Sequence, residues 1–183
     1  MSNTMLIVIV AVIAAALVAT WLFVERRRRE RLRTRFGPEY ERTVRDAGDA
    51  GRAESILERR EKRVGRYQIR ALSADEGQRF GQAWRQLQAR FVDDPSAAVR
   101  EADTLVTELM TARGYPMTEF DRRAEDLSVD HGTVVQHYRE AHGLAERDAR
   151  KEASTEDLRQ AVVHYRALFE DLLEVREAER KRA

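Results

Sequence analysis

Four histidines are the first residues in this chain that could do chemistry, because a neutral imidazole is both a metal ligand and a proton carrier near neutral pH. His131, His137 and His142 stand 6 and 5 residues apart. Neither interval is the i,i+4 spacing that puts two imidazoles on one helical face. There is no HExxH and no Glu-x-x-His pair. His137 and Glu140, at i,i+3, form the closest pairing, and an ordinary side-chain contact accounts for it. No metal site is expected on this spacing. The fourth histidine, His164, lies in VVHYRAL (162–168), which echoes VVQHYREA (134–141). If these two segments are antiparallel helices, Tyr138 and Tyr165 share the edge of a core and the arginines reach acidic neighbours, forming a docking groove.

Other catalytic constellations are missing from the sequence. Without cysteine there is no thiolate nucleophile, disulfide or cysteine metal site. Neither GxGxxG nor GxxxxGK[ST] is present to cradle phosphate, and no GxSxG elbow presents a serine. Asp93-Asp94 and Glu125-Asp126 are adjacent carboxylates, which point apart on a helix. The chain is expected to be non-enzymatic and to need no cofactor.

The elements around these residues read as all-α. Residues 5–24, MLIVIVAVIAAALVATWLFV, form an apolar run followed by ERRRRERLRTR. Twenty such residues at about 1.5 Å each span roughly 30 Å, the thickness of a bilayer's hydrocarbon core. The sequence therefore predicts an N-terminal transmembrane anchor over 1–24. The leading MSNT has no Lys or Arg and no small-x-small cleavage site follows, which argues against a cleaved signal peptide. Arg26, Arg27, Arg28, Arg29, Arg31, Arg33 and Arg35 crowd one flank. The positive-inside rule then predicts a single-pass inner-membrane protein, N-terminus outside and C-terminal domain cytoplasmic, with the arginines against anionic lipid headgroups. No aromatic residues interleave these arginines, so nucleic acid is not an expected partner. Ala11, Ala15 and Ala19 recur every four residues, a small-residue stripe along which two helices could associate into a homodimer.

Charge is uneven behind the anchor. Residues 25–70 hold 16 Lys+Arg against 9 Asp+Glu, whereas residues 71–183 hold 17 against 23. Residues 25–72 carry only a thin apolar stripe (Phe36, Tyr40, Val44, Ile56, Leu57, Val64) and read as a charged helical stalk broken near residues 48–51. A small helical bundle is predicted over 73–175. Ser73 with Glu76 opens a helix bearing Phe80, Trp84, Leu87 and Phe91, and Asp94-Pro95 opens the next, which Gly114 and Pro116 end. Thr118 with Asp121 is expected to open a short helix carrying Phe120, Ala124 and Leu127. Asp130 is then expected to cap a helix running to about Lys151, and Ser154 one bearing Leu158, Val162, Tyr165, Phe169 and Leu172. A charged tail, 176–183, closes the chain.

LRTRFGPEYERTV (32–44), ARFVDDPSAAVREADTLVTELMTARGYP (89–116), AEDLSVDH (124–131) and STEDLRQAVVHYRALFEDLL (154–173) resemble a group of bacterial single-span proteins of unassigned activity. The resemblance implies an anchored all-helical architecture and transfers no functional residue. Where the similar proteins follow Asp-His with proline, this chain has Gly132. The expected function is a membrane-anchored, non-enzymatic interaction or scaffold protein with an unidentified cytoplasmic protein partner, met in the exposed part of the segment 113–131. Two alternatives are a regulator whose basic stalk binds nucleic acid or anionic lipid, and an envelope-facing protein of reversed topology.

Overall fold

The structure, a computed structural model, describes the backbone of residues 3–180 and the side chains of residues 11–173. Among the described residues all regular structure is helical: α1 (Asn3–Phe36), α2 (Pro38–Ala47), α3 (Ala50–Val64), α4 (Ala74–Arg90), α5 (Pro95–Arg113), α6 (Phe120–Asp130), α7 (Val135–Ala149) and α8 (Thr155–Arg180).

Local chemistry sets several of these boundaries. Ser73 and Glu76 form a reciprocal capping box at the start of α4, satisfying two backbone donors that a helix start leaves open. Asp94 caps α5 through the Ala97 N–H at 2.9 Å, with Pro95 in the first turn. Ser154 and Asp157 repeat the reciprocal arrangement at α8. Between α2 and α3, Gly48 turns left-handed at φ 73° and Asp49 caps α3. Gly114 ends α5 at φ 94°, where a side chain would also stand 3.1 Å from the Gln68 carbonyl carbon; glycine meets both demands.

Two apolar clusters hold the helices together. The larger joins α4, α5, α7 and α8 through Trp84, Leu87, Val99, Leu109, Tyr138, Tyr165 and Phe169, with Trp84 stacked on Phe169 at 4.5 Å. The smaller joins the C-terminal part of α1 to α2, α3 and α6 through Leu32, Phe36, Tyr40, Leu57, Val64 and Val129. Residues 25–64 are thus packed protein and not a projecting stalk. Their thin stripe suffices because α6 supplies Val129 and because their charges pair with carboxylates on α3 and α6.

The transmembrane expectation is overturned. Among the described residues no helix is long and apolar enough to cross a membrane. Side chains are described for residues 11–24 of the apolar stretch, and all of them are exposed. Beyond it α1 continues without a break into the arginine run and is anchored on the protein's own domain. The single-pass anchor, the inner-membrane location and the orientation derived from them fall together. Met5 to Val10 belong to the expected anchor, but their side chains lie outside the described residues, as do those of the tail 176–183.

Three boundaries also differ. The short helix α6 begins at Phe120 behind Glu119, with no side-chain cap from Thr118. Asp130 ends α6 rather than opening α7, and pairs with Arg35 at 3.1 Å. The turn after it is shaped by Gly132, where an added Cβ would come 2.8 Å from the Phe36 carbonyl carbon, so the end of α1 seats against this glycine. Finally, α7 stops at Ala149, with Lys151 at φ 61° in the turn to α8.

Candidate functional site

The arginine run is held by carboxylates of the same chain. Arg28 donates twice to Glu58, at 2.6 and 2.8 Å, and Arg29 donates to the fully buried Glu54 at 2.9 Å. Arg31 and Arg35 share Glu61 at 3.0 and 2.7 Å, and Arg33 reaches Glu41 at 2.9 Å. Tyr40 donates to the same Glu54 oxygen at 2.9 Å. Burial is the main reason the Tyr40 phenol is pushed above its usual range, with the Glu54 hydrogen bond adding to it. Arg26 and Arg27 are exposed, and Arg27 lies 4.6 Å over the Phe23 ring. The α1 rod is therefore clamped to α3 along its C-terminal part.

Residues 11–24 of α1 are bare. Val12, Ile13, Leu17, Val18, Trp21, Leu22, Phe23 and Val24 are 45–66% exposed. Ala11, Ala15 and Ala19 are exposed on the same rod, so the stripe predicted from their spacing is on the surface. An apolar patch larger than roughly 300–600 Å² is uncommon on a monomer and marks a place of contact.

Deeper in the fold, Glu39 is the hub of a buried charge network. Only 4% exposed, it accepts from Arg60 at 2.9 Å and from both terminal nitrogens of Arg139 at 2.8 Å. Arg63 donates to Asp126 and Glu125 at 2.7 and 2.9 Å, and Tyr67 donates to Asp126 at 2.9 Å. This joins the basic N-terminal region to acidic α6, so charges segregated along the sequence meet in space. A cleft runs over the network, lined by Glu39, Arg42, Asp46, Arg60, Asp121 and Arg139. Its cations and carboxylates are largely committed to one another.

The segment 113–131, whose exposed part is the expected contact surface, divides between interior and surface. Arg113 is buried and donates to the Leu172 carbonyl at 2.9 Å. Tyr115 and, from α6, Ala124, Asp126, Leu127, Ser128 and Val129 are buried. Gly114, Met117, Thr118, Glu119, Asp121, Arg122 and Asp130 are exposed.

The two His-Tyr-Arg triplets come together across the α7–α8 contact. Tyr138 and Tyr165 meet edge-on at 6.4 Å, and Tyr165 donates to Asp103 at 2.9 Å. Burial pushes the Tyr138 phenol up to about 12 and raises Tyr165 further. The arginines reach acidic neighbours as the echo predicts, Arg139 to Glu39 and Arg166 to Glu170. The two histidines also meet: His137 Nδ1 and His164 Nδ1 are 2.9 Å apart, with a Glu140 carboxylate oxygen 3.6 and 3.3 Å away. Burial lowers the His164 pKa; Glu140 opposes that shift and His137 adds to it. Spacing within one helix could not reveal this cluster, but the repeated triplet carried the signal. The remaining histidines serve elsewhere. His131 is buried and paired with Asp171, while His142 stacks on Phe120 at 3.6 Å.

Comparison with known proteins returns no matching family model, curated protein or solved structure.

Proposed function

We propose that the chain is a non-enzymatic helical interaction protein that pairs with a second copy of itself through residues 11–24 of α1. The observation that carries this reading is the bare apolar stretch 11–24 of α1, held rigid by a clamped continuation of the same helix. Two further features favour a second copy as the occupant. A two-fold pair must present one patch to itself, and the Ala11–Ala15–Ala19 stripe gives two helices a shared line of close approach. The arginines that follow would repel across a parallel pair, but five of them are already paired within each copy with Glu41, Glu54, Glu58, Glu61 and Asp130.

Sedimentation of the purified full chain tests the reading. The expected result is a two-copy species that Ala15→Glu converts to single copies. Leu17→Glu, two residues on and roughly 200° around the helix, leaves the pair intact. A single-copy wild-type chain, or equal loss with both variants, would overturn it.

A further inference from the structure

We propose that His137, Glu140 and His164 form a binding site for one divalent transition-metal ion of the zinc type, which clips α7 to α8. It does not rest on the pairing of α1, since none of its residues lies on that helix.

The geometry comes first. A tetrahedral ion with bonds of roughly 2.0–2.1 Å holds adjacent ligand atoms about 3.3 Å apart. Here the three separations between donor atoms are 2.9 Å for His137 Nδ1 to His164 Nδ1, 3.3 Å for His164 Nδ1 to Glu140 Oε2, and 3.6 Å for His137 Nδ1 to Glu140 Oε2. One triangle of a coordination tetrahedron is thus nearly assembled, with all three donors within 4.8 Å of one another. Two imidazoles facing through Nδ1 at this distance share a single proton at most. A metal ion replaces that contact with two bonds and gives the carboxylate a cation to meet.

The fold builds this triangle from both helices. His137 and Glu140 are i,i+3 neighbours on α7 and so share a face. His164 comes from α8, brought close because Ala141 and Ala161 are fully buried in the core and keep the local packing narrow. The ring centroids are 5.1 Å apart with 24° between the planes, so the two rings meet edge to edge through their Nδ1 atoms, with the Glu140 carboxylate beside them. Gln136 donates to the other carboxylate oxygen of Glu140 at 3.2 Å. A ligating carboxylate is commonly steered by such an outer hydrogen bond.

Donor chemistry selects the ion. Two imidazoles and one carboxylate suit zinc, cobalt or nickel, whereas calcium and magnesium require oxygen ligands. His137 and Glu140 are each 42% exposed and His164 is 21% exposed, so an ion can enter from solvent. Three protein ligands leave a fourth position for water.

The test uses the tag-free full chain, titrated with Co²⁺ while the visible d–d bands are recorded, and with Zn²⁺ against a chromophoric chelator. One ion per chain is expected, with tetrahedral cobalt bands. His164→Gln and His137→Gln should each weaken binding at least tenfold, Gln136→Ala by about tenfold or more, and His142→Gln not at all. Helical circular dichroism confirms that each variant is folded. The proposal is overturned by no stoichiometric uptake, or by uptake that folded His164→Gln leaves unchanged.

Discussion

Removing the Glu39 carboxylate should be among the most damaging single changes in the chain. The side chain is 4% exposed and accepts three charge-assisted hydrogen bonds, one from Arg60 and two from Arg139. Arg60 keeps weaker contacts with Ser128 and Glu125 at 3.4 and 3.5 Å, but Arg139 has no other carboxylate among the described residues. With its side chain only 15% exposed, Arg139 would be left as a nearly buried, unpaired cation. Breaking a buried pair in this way costs about 3–5 kcal/mol. For a domain of this size 1 kcal/mol moves the melting temperature by about 2–4 °C, so Glu39→Ala should lower it by roughly 6–20 °C. Urea unfolding followed by circular dichroism at 222 nm measures the change directly. A double-mutant cycle adds the decisive comparison. In an Arg139→Met background the same Glu39→Ala change should cost less, because one stranded cation is gone. A loss under about 1 kcal/mol, or strictly additive single changes, would refute the network.

Other changes probe separate parts of the fold. Leu57→Ala should cost about 2–5 kcal/mol in the same unfolding assay, because Leu57 is fully buried in the cluster that binds α3 to α1; a detached stalk would show no change. Gly132→Ala should destabilise by about 1–3 kcal/mol, since the new methyl meets the Phe36 backbone and one helix end must shift. The Glu156 carboxylate is held down to about 2, chiefly by hydrogen bonding with Arg159. Because its folded pKa is depressed, its stabilising contribution is present above the ordinary carboxylate value and fades as pH falls toward about 2. NMR titration should find the Glu156 value raised in Arg159→Gln, with the Gln160 hydrogen bond still holding it below the usual range; an unchanged titration would remove Arg159 as the main cause.

How much of this was legible in the sequence depends on range. Capping is local, so Ser73 with Glu76, Asp94 with Pro95, Ser154 and the C-terminal Gly114 all mark real helix ends. The apolar stripes of α4, α5 and α8 are likewise the buried faces. The packing of residues 25–64 is not legible in the sequence because their partners are remote. Arg35 meets Asp130 and Glu39 meets Arg139, 95 and 100 positions away, and no periodicity within the basic region announces them. The arginine flank looked like a membrane-surface signal for the same reason, although most of its charge meets carboxylates of the same chain. The histidine cluster was half visible. Spacing along α7 argued against ligation, while the recurrence of His-Tyr-Arg placed His137 and His164 at equivalent positions on two helices that pack together.

Because the chain has no cysteine, engineered single cysteines offer the most direct test of pairing through α1. Ala11→Cys, Ala15→Cys, Ala19→Cys and Leu17→Cys would each be oxidised in the purified full chain, and two-copy bands read on a non-reducing gel. Pairing along the alanine stripe predicts strong cross-linking at 11, 15 and 19 and little at 17. Uniform cross-linking at all four positions, or none at any, would contradict it.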